Sequence, residues 1–253
     1  MNKKLNIICI IPARLASSRF PNKPMAKILE KPMILHVYER VKNSPILDEC
    51  IVATCDNEIK ACIENSGGSA VMTSIKHERA SDRCAEALLK IEEQKKIKYD
   101  IVLMVQGDEP LINHNMIEES IKPFYDNENI NVVNLYSKIK NDNEFKDRNC
   151  VKVLIDKQSF ALYFSREPIP SLYREKHSFY FKQVCVIPFR RDFLIEYNNM
   201  QPTKLEEIES IDMLRILENG KKVFMSKTNY ESKCVDTKED LIAVNKILQN
   251  NKC

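Results

Sequence analysis

IIPARLASSRFPNKP, residues 10–24, continues an apolar run, Ile7, Ile8, Cys9, Ile10 and Ile11, that Pro12 brings to an end. A short continuous run of this kind is expected of a central strand covered on both faces. The polar residues after it must stand at that strand's carboxyl end. There Arg14, Arg19 and Lys23 recur at intervals of five and four, with Ser17 and Ser18 between them and Pro21 and Pro24 barring a regular helix. Guanidinium forks bind phosphate oxygens in pairs, a lysine acts as a point charge, and hydroxyls and loop amides fill the gaps. The stretch therefore reads as a triphosphate grip. The plainer alternative is a solvated basic loop closing a strand, and three cations in a proline-framed turn weigh against it.

Outward from this loop the first half alternates. Met33, Ile34, Val37, Tyr38 and Val41 mark one face of a helix beginning at Pro32, CIVAT (50–54) is a second strand, and residues 57–66 are helical up to Gly67 and Gly68. SAVMT (69–73) makes a third strand, and a helix starts near Ser81, read as its N-cap with Asp82 in the first turn. Ile101–Val105 is the fourth and most hydrophobic strand. Strand and helix at this spacing predict an α/β fold with a mostly parallel central sheet and helices on both faces. Ligands of such sheets bind at the carboxyl ends of the strands.

The fourth strand runs into Gln106, Gly107, Asp108, Glu109 and Pro110. Glycine permits a tight turn there, and Asp108 is directed to the edge that carries the basic loop. Two readings stand side by side. Asp108 either caps the helix starting near Asn113 or merely solvates the turn, or it holds magnesium, which takes oxygen ligands at about 2.1 Å from one or two carboxylates plus substrate phosphates. Near the chain's end, Thr237 with Asp240 reads as a structural capping pair. Asp236, between an apolar segment and a helix, is a second magnesium ligand if the last segment returns beside the sheet.

Composition narrows the rest. The 253 residues suffice for one large domain, read as a nucleotide-binding half (1–125) and a smaller mixed lobe (126–253). Charged residues are 30% of the chain, interspersed in sign, with a net charge of +3, which argues against a nucleic-acid binder. No apolar run reaches the roughly 18 residues of a membrane span, and the first strand begins too early for a signal peptide, so a cytoplasmic protein is expected. Nine cysteines without a CxxC pair read as reduced core thiols rather than disulfides or a zinc site. Four glycines cannot spell GxGxxG or GxxxxGK[ST], which excludes dinucleotide and Walker-type sites.

In the second half, strands are expected at 130–137, 150–155, 160–170 (ending in Arg166 and a proline-rich turn) and, as one piece, 179–189. Leu205, Ile208, Ile211, Leu214 and Leu217 predict one helix closed by Gly220, followed by a strand in KKVFMSK and a last helix.

IIPARLASSRFPNKP, KPMILHVYERV, VATCD, VQGDEP, ALYFSREPIP, QPTKLEEIE and VDTKEDL occur in the order and spacing of the 3-deoxy-manno-octulosonate (Kdo) cytidylyltransferases, which the chain resembles over nearly its whole length. The resemblance implies a Rossmann-like, three-layer nucleotidyltransferase of GT-A-like type, a homodimer, that joins CTP to the anomeric hydroxyl of a 2-keto-3-deoxy sugar acid and releases pyrophosphate. It implies Arg14, Ser17, Arg19 and Lys23 on the triphosphate, and Asp108 and Asp236 on magnesium. Ser81 and Arg83 would read cytosine or ribose. Gln106, Arg166 and Gln183 would face the sugar acid, and Gln201, Pro202, Glu206, Glu207 and Glu209 would close over it.

Some positions depart from the family pattern. Asn22 and Glu30 stand where glycine is usual; Ala80, Ser81, Asp82 and Arg83 replace a glycine-threonine-acid-arginine run; Gln183 and Cys185 replace a histidine and a glycine on the sugar side. A related acid sugar, amino-substituted or of different chain length, is the alternative substrate. A non-catalytic nucleotide-sugar sensor is a second class of reading, against which the retained Asp108, Asp236, Arg14 and Lys23 argue.

Overall fold

β1 (Ile7–Ala13) is buried along its whole length. It is the central strand its composition predicts, although it runs two residues further than expected, through Pro12. Pro12 is registered with Ala53 on one side only, beyond the last pair on the other flank, where a missing N–H is tolerated. The computed structural model describes residues 4–16, 20–171, 173, 180–230 and 233–250. The chain divides into two compact units, Met1–Ile117 with Glu231–Cys253, and Glu118–Tyr230.

In the first unit β1 is followed by a single 3-10 turn at Lys23–Met25 and a small hairpin of β2 (Lys27–Ile28) and β3 (Lys31–Pro32). Then come α1 (Met33–Lys42), β4 (Glu49–Thr54), α2 (Asn57–Asn65), β5 (Ala70–Met72), α3 (Ala80–Lys95) and β6 (Ile101–Val105). Strands β6, β1, β4 and β5 lie side by side in that order, all parallel. The chain moves from β1 outward to β4 and β5, then crosses back to β6 on the other side of β1. The switch point between β1 and β6 is where a parallel sheet leaves a crevice at its carboxyl edge. Fully burying each isoleucine of β1 is worth about 1.5–3 kcal/mol, so this strand is a main anchor of the unit.

Two positions that depart from the family's glycines are held in left-handed backbone. Asn22 has φ 58°, which asparagine tolerates, and Glu30 has φ 65° beside Leu29 at φ 47° in the β2–β3 turn. Helix α3 corrects one expectation: it begins at Ala80 with Arg79 in the N-cap position, so Ser81 lies inside the helix, fully buried.

Helix α4 (His114–Asp126) carries the chain from the first unit into the second, and the Asn113 side chain accepts from the Met116 N–H at its start, 3.1 Å. The second unit contains β7 (Val133–Lys138), α5 (Asp142–Lys146), β8 (Lys152–Ile155), β9 (Ala161–Ser165), β10 (Phe181–Val184), β11 (Val186–Arg190), α6 (Arg191–Asn198), α7 (Lys204–Glu209), α8 (Met213–Glu218) and β12 (Phe224–Lys227). Its sheet is mixed, in the order β12-β7-β10-β8-β9, with β12 parallel to β7 and the other neighbours antiparallel. The single strand expected over 179–189 is two: a bend at Cys185 separates β10 from β11, and β11 meets the β7 region through a bridge of Phe189 to Val132. A continuous apolar run conceals such a break because periodicity registers composition, not direction.

The helix expected over 205–217 is also two. Ser210 adopts φ 52° after α7, and α8 starts three residues later. The break folds Glu206 onto Arg215. Glu206 is fully buried and receives Nε and Nη2 of Arg215 at 2.6 and 2.7 Å, while the guanidinium lies 5.0 Å from the Tyr197 ring centre.

The final helix, α9 (Lys238–Asn250), returns to the first unit. This replaces the division after residue 125, for a packing reason: Val235, Val244 and Leu248 complete one apolar cluster with Phe20, Ile28, Met33 and Leu111. The Thr237 and Asp240 capping pair forms as expected, with the Asp240 N–H on the Thr237 hydroxyl at 3.1 Å and the Thr237 N–H on the Asp240 carboxylate at 3.0 Å.

Removing one member of a buried ion pair leaves the other charge without compensation. Arg215→Ala should therefore lower unfolding free energy by about 3–5 kcal/mol in urea denaturation, and replacing both Glu206 and Arg215 by methionine should cost much less. Equal losses in the two variants would show that the pair's charge is not what matters.

Candidate active site

The carboxyl ends of β1 and β6 carry the cationic loop and the acidic turn, as the alternating pattern predicts. The loop is tied down at both ends. The Leu15 N–H donates to the Asp56 carboxylate at 2.8 Å, and the Asn22 N–H to the Leu15 carbonyl at 3.1 Å. Ser17 and Arg19 lie outside the described residues. Arg14 is exposed, with Nη1 3.5 Å from the His77 carbonyl.

Gly107 is needed for closeness rather than for a special backbone angle. A Cβ there would stand 3.0 Å from the Ile34 side chain and 3.2 Å from the Pro12 carbonyl, so the turn after β6 lies directly against the end of β1. That contact fixes Asp108. The chain's end is then fastened to the same turn, since the Val235 N–H donates to the Asp108 carbonyl at 3.0 Å.

Asp236 arrives beside Asp108 by this bond, and Lys23 stands between them. Its Nζ is 2.6 Å from Asp108 Oδ2 and 3.2 Å from Asp236 Oδ1, with all three side chains no more than 15% exposed. Burial works against the charge on Lys23, but Asp108 first, with Cys234 and Asp236, outweighs it and holds the ammonium well above the ordinary lysine range. Its contribution to stability is therefore present below the ordinary lysine value and lost only as pH rises through the higher folded value. The other oxygen, Asp108 Oδ1, is buried with no hydrogen-bond partner among the described residues. An orphaned carboxylate oxygen beside a second carboxylate suits a hard divalent cation. Of the two readings of Asp108, helix capping is taken by Asn113 instead.

The residues assigned to base or ribose are below the surface. Ser81 is fully buried and Arg83 is 3% exposed, its Nη1 on the Thr73 hydroxyl at 2.5 Å and its Nη2 on the His77 carbonyl at 3.4 Å. Arg14 and Arg83 thus share the His77 carbonyl, and the His77 ring is bound to Glu86. Burial raises the Glu86 carboxyl, yet hydrogen bonds from Lys90, the Ser74 N–H and His77, with the Lys90 charge, hold it at about 2.

In the second unit, Arg166 sends Nε, Nη1 and Nη2 to the carbonyls of Glu209, Arg148 and Ser210 at 2.7, 3.0 and 3.1 Å, and the Glu209 carboxylate accepts from the Arg166 N–H and the Ser165 hydroxyl. Gln183 donates to the buried Asn134 at 2.5 Å. Gln201 and Glu207 are exposed, whereas Glu206 is closed into its pair with Arg215 and reaches a ligand only if that pair opens. Gln106 is half-buried, its carbonyl accepting from the Glu109 N–H.

Sequence reasoning overlooked Asp56, the His77 and Glu86 pair, and Cys234. VATCD stands out as a motif, but nothing in it announces that Asp56 binds a loop 41 positions away. Cys234 is half-buried with its Sγ among the carboxylates of Asp108 and Asp236, rather than in the core as expected. None of the eight described cysteines forms a disulfide.

A parallel sheet with a cationic loop and paired carboxylates at its switch point fits the nucleotidyltransferase fold. The chain belongs to the cytidylyltransferase family, whose model matches residues 8–223. It is 43% identical to the 3-deoxy-manno-octulosonate cytidylyltransferase of Thermodesulfovibrio yellowstonii over 95% of this chain and 97% of that one. It is 42% identical to the enzyme of the same name from Fusobacterium nucleatum, over 98% and 99%. A solved structure of CMP:2-keto-3-deoxy-manno-octonic acid synthetase complexed with CTP superposes with a TM-score of 0.88 at 33% identity, covering 97% of this chain and 99% of that one. Among the described residues no helix is long and apolar enough to cross a membrane.

A group whose folded pKa is depressed stabilises the fold above its unfolded value and loses that contribution as pH falls. The stability advantage of the native chain over Glu86→Gln should be complete above pH 4.5 and shrink as pH falls toward about 2, followed by urea denaturation at stepped pH. A difference independent of pH in that window would exclude an ionised Glu86 as the organiser of this loop.

Proposed function

We propose that this protein transfers the cytidylyl group of CTP to the anomeric hydroxyl of 3-deoxy-manno-octulosonate, releasing pyrophosphate, in the cytoplasm and as a homodimer, to supply an activated sugar for lipopolysaccharide or capsule synthesis. The observation that carries the reading is the Lys23, Asp108 and Asp236 constellation at the switch point, in a chain whose relatives carry that activity in their names.

The chemistry rests on these side chains. Arg14 and Lys23, with Ser17 and Arg19, would hold the triphosphate and neutralise the charge that grows on the departing pyrophosphate. Asp108 and Asp236 would hold magnesium, for which the orphaned Asp108 Oδ1 is the fitting donor. When bound, the ion would supply positive charge against the α-phosphoryl group. Lys23 then has a double use: without nucleotide it compensates the two carboxylates, and with nucleotide and cation present it is released toward phosphate. His77 and Glu86 keep Arg14 and Arg83 in place through one carbonyl. Gln106, Arg166, Gln183, Gln201 and Glu207 are the sugar-side candidates. Gln183 is the position at which selectivity among acid sugars is decided, because its amide is already oriented by Asn134.

Pyrophosphate release should require CTP, magnesium and Kdo, with ATP, GTP and UTP inactive. Release with a different ulosonate alone would keep the mechanism and change the substrate, and CTP binding without release from any sugar would favour the sensor reading. Asp108→Ala and Asp236→Ala should each lower kcat by about a hundredfold or more, the scale of losing a charge stabiliser in the transition state. Near-normal turnover in either variant would remove that residue from the metal site. Gln183→His should alter the ratio of kcat/KM between acid sugars more than the KM for CTP; an unaltered ratio would take Gln183 out of sugar recognition.

A further inference from the structure

The carboxylate pair has a third potential donor that magnesium chemistry does not need. Cys234 Sγ and one carboxylate oxygen each from Asp108 and Asp236 lie within 4.8 Å of one another. The backbone puts the thiol there. Val235 is fully buried in the apolar cluster around Phe20, Met33 and Val244, and its N–H is bonded to the Asp108 carbonyl, so the residues on either side of it, Cys234 and Asp236, both turn to Asp108. Asp108 Oδ1 adds a buried acceptor with no hydrogen-bond partner among the described residues.

Magnesium takes oxygen donors and gains nothing from sulfur, whereas a thiolate selects zinc, cadmium and related borderline or soft cations. Zinc holds sulfur at about 2.3 Å and carboxylate oxygen at about 2.0–2.2 Å, leaving donor atoms roughly 3.5 Å apart in a tetrahedral site. Resting on the two-carboxylate reading above, we propose that Cys234 makes this a site for a thiophilic divalent cation of the zinc and cadmium class, which competes with magnesium. On binding, the Cys234 S–H bond breaks, its proton passes to solvent and a sulfur–metal bond forms. The Lys23 ammonium gives up its two carboxylate partners to the ion.

The test uses the full chain and the cations themselves. Cadmium titration should produce a thiolate-to-metal charge-transfer band in the ultraviolet, saturating with one ion per chain and reversed by excess magnesium with CTP. Cys234→Ser and Cys234→Ala should both lose this band and bind cadmium about tenfold or more weakly. Cys234→Ser should still bind manganese in the presence of CTP, measured by water-proton relaxation. A band and affinity retained in both cysteine variants overturn the proposal while leaving the carboxylate site intact, because another thiol then holds the ion. Failure of the native chain to bind manganese, with or without CTP, overturns the carboxylate reading itself and the proposal with it.

Discussion

One ammonium between two carboxylates organises the first unit. Lys23 belongs to the loop after β1, Asp108 to the turn after β6, and Asp236 to the segment leading into α9, so a single half-buried cation joins three parts of the chain that are distant in sequence. Without Lys23 the carboxylates would repel in a poorly hydrated pocket, and without them Lys23 would be a desolvated charge. The arrangement is stable because each cost is offset by the partner.

Packing makes this triad possible. Gly107 lets the β6 turn lie on the end of β1 at a distance tight for any side chain, and the apolar cluster beneath α9 brings Val235 to the same turn. A backbone bond from Val235 to Asp108 then sets the spacing of the two aspartates. The acidic site is thus held by backbone and core as well as by the ion pairs of Lys23.

The second unit disposes of its charges differently. Arg166 is bonded to three carbonyls, and Glu206 and Arg215 neutralise each other inside α7 and α8. Lys152, fully buried, likewise donates to the carbonyls of Asp147, Cys150 and Arg166. These groups shape the unit from within, whereas Gln201 and Glu207 are exposed and Gln183 is half-buried.

Much of this was legible in the residues. The apolar run of β1, the helical spacing of α1 and α2 and the Thr237 capping pair are local patterns, and local patterns report local structure. The resemblance carried the family and the pairing of Asp108 with Asp236. What composition could not convey was direction and distance. The bend at Cys185 and the left-handed turn at Ser210 interrupt runs that are periodic throughout, and the N-cap of α3 is Arg79, ahead of the serine that looked like its cap. Asp56, the shared His77 carbonyl and Cys234 acquire meaning only when strands far apart in sequence become neighbours. The sequence by itself determined the alternating α/β order, the chemistry at the strand ends and the family. Tertiary structure alone decided which charges meet, because that depends on how closely backbones approach and where the chain's end finds a core to complete.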